Sequence, residues 1–206
     1  MITKIQYFEN NVLKSVEDYI YVNGKLTARF FWENRNNGSN TSTLYKDKST
    51  FTFNASGTVV TEQIYKFEND AYVLSNNSNI YTYTNGNLTT EAANSSYTFS
   101  GNTSTNKYTY TYEYDTKNSP LKNVLGLSKI GFNEELSGNN LTKRTTLSEG
   151  TSNGVPNIKQ PAVVRNYINA YNADNFLTES KYDFLFYLNT NPPTTETRVS
   201  TTQYVY

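Results

Sequence analysis

The side chains able to do chemistry in this chain are carboxylates, lysines, tyrosines and serines, because its 206 residues include no His and no Cys. Nucleophilic triads and dyads built on His, zinc held by His or thiolate, thiol redox and disulfides all fall away with those two residue types. So does the one side chain whose unperturbed pKa lies near neutrality. A glycosidase would need two carboxyls about 5–10 Å apart across a cleft. Glu134-Glu135 are adjacent, and in a strand they would point to opposite faces. Asp18, Glu62 and Asp115 would have to be brought together by the tertiary fold. Each acid reads as a solvated or ion-paired sheet residue. Asp174, between Asn172 and Asn175, lacks the ligand spacing of a calcium loop and reads as a turn. No catalytic or metal-ligating residue is nominated, the chain is read as no enzyme, and no cofactor is expected.

Binding chemistry has better raw material, since the chain holds 19 Tyr, 11 Phe and a single Trp. The candidate binding residues are Trp32, Tyr108, Tyr110, Tyr112 and Tyr114. An exposed Trp32 would stack on a sugar ring or anchor a partner. The register expected for its hairpin instead sets it beside Tyr19, Leu26 and Phe30, which favours packing. The alternation Tyr108-Thr109-Tyr110-Thr111-Tyr112-Glu113-Tyr114 puts four tyrosines on one face of a strand. Facing outward they would form a platform for a glycan or an extended peptide. Facing inward they would fill a core with their hydroxyls paired. Tyr19, Tyr21, Tyr81 and Tyr83 read as inward, and the later strand is open to either.

These residues have to be positioned by hairpins. Tyr19-Ile20-Tyr21-Val22-Asn23-Gly24-Lys25-Leu26-Thr27 is matched by Tyr81-Thr82-Tyr83-Thr84-Asn85-Gly86-Asn87-Leu88-Thr89. Upstream, Phe8-Glu9-Asn10-Asn11 is matched by Phe67-Glu68-Asn69-Asp70. Residues near 5–34 and near 64–100 therefore read as two copies of one two-hairpin unit. Asn-Gly between alternating runs marks a two-residue turn. It pairs Val22 with Lys25, Tyr21 with Leu26, Tyr19 with Ala28 and Asp18 with Arg29. That register sets Tyr19, Tyr21, Leu26, Ala28, Phe30 and Trp32 on one face. Weaker echoes occur at Phe51-Thr52-Phe53-Asn54-Ala55-Ser56-Gly57 and Tyr171-Asn172-Ala173-Asp174-Asn175-Phe176-Leu177-Thr178.

On the order of a dozen strands follow from such patterns. The fold class is all-β: an antiparallel meander of Tyr-rich hairpins, curled into a barrel-like or open sheet, forming a single domain over 1–206. A short helix is expected near 120–125, capped by Ser119 with Pro120 at its first position, and a longer loop over 150–161. Lys plus Arg equals Asp plus Glu at 18 each, so no basic footprint for nucleic acid exists. No apolar run approaches the ~18 residues of a membrane helix, and charges on both strand faces argue against a transmembrane barrel. Met1-Ile2-Thr3-Lys4-Ile5 enters a strand at once, with no basic head and apolar stretch before it; this reads either as a cytoplasmic protein or, the favoured reading, as an exported chain whose signal has been trimmed.

The run Tyr112-Glu113-Tyr114-Asp115-Thr116-Lys117-Asn118-Ser119-Pro120-Leu121-Lys122-Asn123-Val124-Leu125-Gly126, set among these hairpins, resembles a Bacteroidetes family of exported, often lipid-anchored proteins. That family is a domain of unknown function described as having a porin-like β fold. The hairpins also resemble the YD repeats of Rhs-type proteins. The resemblance implies a curled antiparallel sheet, a cell-envelope location (periplasmic or surface-exposed), a lipid anchor in a full-length precursor, and no catalytic residues. The leading functional reading is a non-catalytic binding module whose partner is a glycan or an envelope protein. The second is a structural part of a surface assembly, and the third a carboxylate-dependent hydrolase.

Overall fold

The computed structural model describes residues 1–36, 42–121, 131–157, 162–188 and 194–204. Among them the chain forms thirteen strands in one sheet, and strand order follows chain order. The strands are β1 (Lys4–Glu9), β2 (Val12–Val22), β3 (Lys25–Asn36), β4 (Ser42–Phe53), β5 (Val59–Glu68), β6 (Ala71–Thr84) and β7 (Asn87–Phe99). They continue with β8 (Asn102–Asn118), β9 (Asn139–Ser152), β10 (Val155–Pro156), β11 (Val163–Tyr171), β12 (Leu177–Leu188) and β13 (Thr194–Gln203). Every strand-to-strand pairing is antiparallel; β11 pairs with β9, and β10 folds back on β9 alone. The meander is open, with β1 and β13 at its edges. Of the segment expected to be helical, Pro120 and Leu121 form a turn and the rest lies outside the described residues. The loop expected over 150–161 is instead the end of β9, a turn at Asn153-Gly154 and β10, up to the undescribed residues 158–161.

Two-residue turns set the hairpins. Asn23-Gly24 and Asn85-Gly86 both take positive φ at each central residue, the conformation whose twist matches that of the flanking strands. Asn10-Asn11 and Asn69-Asp70 do the same with no glycine, because Asn and Asp tolerate the left-handed region better than other side chains. The weaker echoes also match in detail. Asn54 Oδ1 accepts from the Val59 amide and Asn172 Oδ1 from the Phe176 amide, while Gly57 and Asn175 take positive φ.

The expected register holds for Val22–Lys25 and Tyr21–Leu26, then slips: Ile20 pairs with Ala28, Tyr19 with Arg29 and Asp18 with Phe30. The cause is a bulge at Thr27, whose hydroxyl donates to the Ile20 carbonyl at 3.2 Å. The second repeat has the same bulge, with Thr89 donating to the Thr82 carbonyl at 3.1 Å. An extra residue in a period-two strand exchanges the faces beyond it. Arg29 and Phe31 therefore share the face of Tyr19 and Tyr21, while Ala28, Phe30 and Trp32 go to the other.

The core lies on the Tyr19 face, here called the inner face, towards the Asn-Gly turns. Tyr19, Leu26, Phe51, Val60, Tyr81, Leu88 and Tyr112 form its buried cluster. The β8–β9 connection supplies the lid. Its Phe132 ring stacks on Tyr81 at 5.3 Å and packs against Phe51 at 5.0 Å. Ser137 accepts from the Leu88 amide and donates to the Tyr114 hydroxyl. The opposite ends of the hairpins are unpacked, leaving Phe8, Leu74 and Phe99 exposed.

If the threonine hydroxyls fix the bulges, Thr27→Val and Thr89→Val should each lower unfolding free energy by about 0.5–1.5 kcal/mol. The two losses should add, since the sites share no partner. Urea denaturation of the single and double variants checks this, and a neutral double variant would remove the hydroxyls from the account.

A groove on the inner face

The inner face is a row of tyrosines held by carboxylates. Glu62, almost fully buried, accepts from the Tyr81 hydroxyl at 2.6 Å, from Asn79 at 2.8 Å and from Arg29 at 3.4 Å. Tyr19 donates to Glu17 at 2.5 Å and Tyr112 to Glu91 at 2.9 Å. Burial, reinforced by these neighbouring carboxylates, pushes the Tyr19, Tyr81 and Tyr112 hydroxyls far above the ordinary phenol range, so they stay neutral donors. Burial also raises the Glu91 carboxyl, against the Tyr112 hydrogen bond that lowers it.

The acids whose convergence would depend on the tertiary fold are held apart by separate partners. Asp18 sits on the outer face, 3.2 Å from Lys4. Asp115 joins the end of β8 to β9 and β11 by accepting from the Asn140 amide and the Tyr171 hydroxyl. Burial, then that hydrogen bond, pushes the Tyr171 hydroxyl up to about 12. Glu134 lies in a 3-10 turn, Glu134–Leu136, rather than a strand, and pairs with Arg144 at 3.3 Å.

Of the five candidate binding residues, four are brought together. Tyr108, Tyr110, Tyr112 and Tyr114 all face inward, and successive rings of the first three stack at 6.3 and 6.5 Å. Tyr112 is buried and Tyr114 donates to the Leu88 carbonyl, whereas Tyr108 is exposed. Trp32 is separated from them on the outer face, between Val16 and Lys46. It shares that face with Phe30, Tyr65, Phe67 and Tyr72; Phe30 and Phe67 meet the Tyr72 ring, Lys46 covers Phe67, and Lys48 reaches Phe30 and Tyr65.

Another opening is lined by Ser119, Pro120 and Leu121 of the Tyr112–Gly126 run and by strand residues that no hairpin motif marks. Over β9, β11, β12 and β13 the inner face forms a groove of about 480 Å³. Its floor follows the strand register. Tyr167 lies opposite Tyr182 and Tyr182 opposite Ser200, while Asn169 lies opposite Ser180 and Ser180 opposite Thr202. Arg144 lies opposite Arg165. The Tyr167 and Tyr182 rings meet at 4.9 Å, Arg165 covers Tyr182, and Arg144 stacks on Tyr110 at 4.7 Å. Pro120, Leu121 and Glu134 form one wall. Glu62 and Glu91 do not line this groove. A smaller cavity of about 290 Å³ lies on the same face, lined by Glu17, Arg29, Phe31, Asp47, Ser49 and Ile64.

No family model matches the chain and no curated protein does, so the particular family of the sequence resemblance gains no support from either. Solved structures similar to it include a protein of unknown function from Bacteroides fragilis NCTC 9343, at 9% identity over 95% of each chain with a TM-score of 0.30. Another is a porin-like protein from Bacteroides vulgatus ATCC 8482, at 8% identity over 98% of this chain and 85% of that one, with a TM-score of 0.40. The functional reading rests on the geometry of the chain itself. No described helix is long and apolar enough to cross a membrane.

Because the Glu91 carboxyl is raised above its unfolded value of 4.5, its contribution to stability is full below that pH and is lost as pH rises through the folded value. Glu91→Gln should therefore raise the melting temperature relative to the parent more at about pH 7 than near pH 4. Equal shifts at both pH values would show that Glu91 does not ionise at a cost.

Proposed function

We propose that the chain is a non-catalytic binding module of the cell envelope whose ligand, a glycan, lies in the groove over β9–β13. One observation carries the reading: the Tyr167–Tyr182 ring pair stands beside a row of short hydrogen-bonding side chains, Asn169, Ser180 and Thr202, in one open groove. Sugar rings present apolar faces to aromatic rings and hydroxyls to amides and alcohols, so this pairing of side chains suits them. The tyrosine ladder extends the path. Arg144 bridges the groove to Tyr110, and the exposed Tyr108 follows. Binding is favoured over hydrolysis because Glu134, the groove's carboxylate among the described lining residues, is spent on Arg144. Location in the envelope is supported by the sequence resemblance.

A second reading, contact with another envelope protein, is favoured by the outer-face cluster around Trp32. Aromatic rings and lysines gather there, and buried aromatics are the usual anchors of interfaces.

A glycan-array screen of the purified chain, followed by fluorescence titration, tests the first reading. Saturable binding to one sugar class is expected, weakened about tenfold or more by Tyr182→Ala and unchanged by Trp32→Phe. A blank array, or binding lost only in the Trp32 variant, would move the function to the protein-contact reading.

A further inference from the structure

β13 is an open edge. Among the described residues only β12 pairs with it. The Tyr204 amide donates to the Thr178 carbonyl, and the same register runs from Glu179 opposite Gln203 to Leu188 opposite Thr194 without a shift. Hydrogen-bonded pairs alternate along an antiparallel ladder. Even-numbered residues of β13 therefore bond to β12, while Thr195, Thr197, Val199, Thr201 and Gln203 turn amide and carbonyl to the free side. Such an edge templates another strand, and sheets blunt it by shortness, bulges, Lys or Pro. Thr194–Gln203 has 10 residues, an unbroken register, and neither Lys nor Pro. The other edge is blunted: β1 has 6 residues, one of them Lys4, and its ladder shifts at Tyr7.

The outward groups of β13 complement themselves. Val199 is the middle one of the set. With a two-fold axis at Val199, that residue meets its own copy, Thr197 meets Thr201 of the second copy, and Thr195 meets Gln203. Every outward residue of the strand is then used, whereas an axis at Arg198 or Ser200 leaves one over. Glu196 falls opposite Thr202 and Arg198 opposite Ser200, so no like charges meet across the seam. Val199 is 64% exposed in the single chain, and this pairing covers it.

We propose that the chain forms a two-fold dimer by antiparallel pairing of β13 with β13 of a second copy. A closed two-fold contact uses the same patch on both subunits, and the register about Val199 supplies one. The sheet then runs unbroken through both molecules. Because the axis stands perpendicular to the sheet, both inner faces lie on one side. Ser200 and Thr202 line the groove from β13, so the two grooves open together on that side, and a polymer that crosses the seam meets both.

Sedimentation equilibrium of the full chain, with no sugar present, tests the dimer. A monomer–dimer equilibrium is expected. Val199→Pro deletes an amide that faces away from β12, so it keeps the β12 pairing and should weaken dimerisation about tenfold or more. The chain holds no Cys, so Val199→Cys supplies its sole thiol. Hydrogen-bonded partners lie about 5.5 Å apart between Cα atoms, within reach of a disulfide. Mild oxidation should link Val199→Cys into a covalent dimer and leave Gln203→Cys, which faces Thr195, largely unlinked. If the proline variant does not fold, the two cysteine variants decide alone. Monomer at every concentration overturns the dimer. So does a dimer that survives Val199→Pro, or one that links equally well through both cysteines. Assemblies that grow without limit would mean β13 pairing with β1 of another copy, and overturn the two-fold contact too. None of these readouts depends on what the groove binds, so failure here leaves the sugar reading intact.

Discussion

Glu62 holds the middle of the molecule. A carboxylate taken out of water is tolerated only where hydrogen bonds replace its hydration. This one is met by Tyr81 and Asn79 from β6 and by Arg29 from β3. Those donors come from strands on either side of β5, so one acceptor fixes how they lie across the inner face. The constraint runs outward from there. Tyr81 must stay a donor, so it is buried and neutral. Its ring then presents a flat surface, and Phe132 from the β8–β9 connection stacks on it. Without a second sheet to pack against, the meander uses that one connection as the other half of its core.

This solution divides the inner face. Between β4 and β6, Phe51, Phe53, Tyr81 and Tyr83 are packed against Phe132, and the buried Tyr19, Tyr81 and Tyr112 hydroxyls are each spent on a carboxylate. From β9 to β13 no comparable ring covers the strands among the described residues, and the same kinds of side chain are left lining open space. The two halves share one chemistry but differ in whether the chain satisfies it internally. The same alphabet of Tyr, Asn, Ser and Arg thus packs the core under cover and lines open space beyond it.

The architecture is legible in the sequence because it is written locally. Alternation gives strands, Asn-Gly and Asn-Asp give turns, and adjacent strands pair. The duplicated motif predicts both hairpins and their first two pairs correctly. It misleads at Thr27, because a bulge has no hydrophobic signature, although a threonine after the leucine in both copies is a usable cue. That slip moves Trp32 off the Tyr19 face. The groove is harder to see. The β11–β12 turn sets Tyr167 opposite Tyr182, but the pairing of Arg144 with Arg165 depends on β9 and β11, with β10 and an undescribed stretch between them. No tight turn fixes that register, so in the sequence the two arginines read as unrelated surface charges. Residues of the Tyr112–Gly126 run prove to be staples: Tyr114 on the Leu88 carbonyl, Asp115 on Asn140 and Tyr171.

Strand order that copies chain order makes the molecule close to one-dimensional. Apart from β10, each strand pairs only with its neighbours along the meander, so loop-closure entropy is repaid at every hairpin. Such a sheet assembles like a zipper, and its opening is graded, with β1 and β13 fraying before the centre. The ties that span many residues, Arg29 to Glu62 and Tyr171 to Asp115, are what turn a row of hairpins into a cooperative body. The groove lies near the β13 edge, beyond the cover of Phe132. Occupying it would clamp four late strands that are otherwise joined only in series, so a bound ligand would also raise the mechanical resistance of the end where unravelling starts.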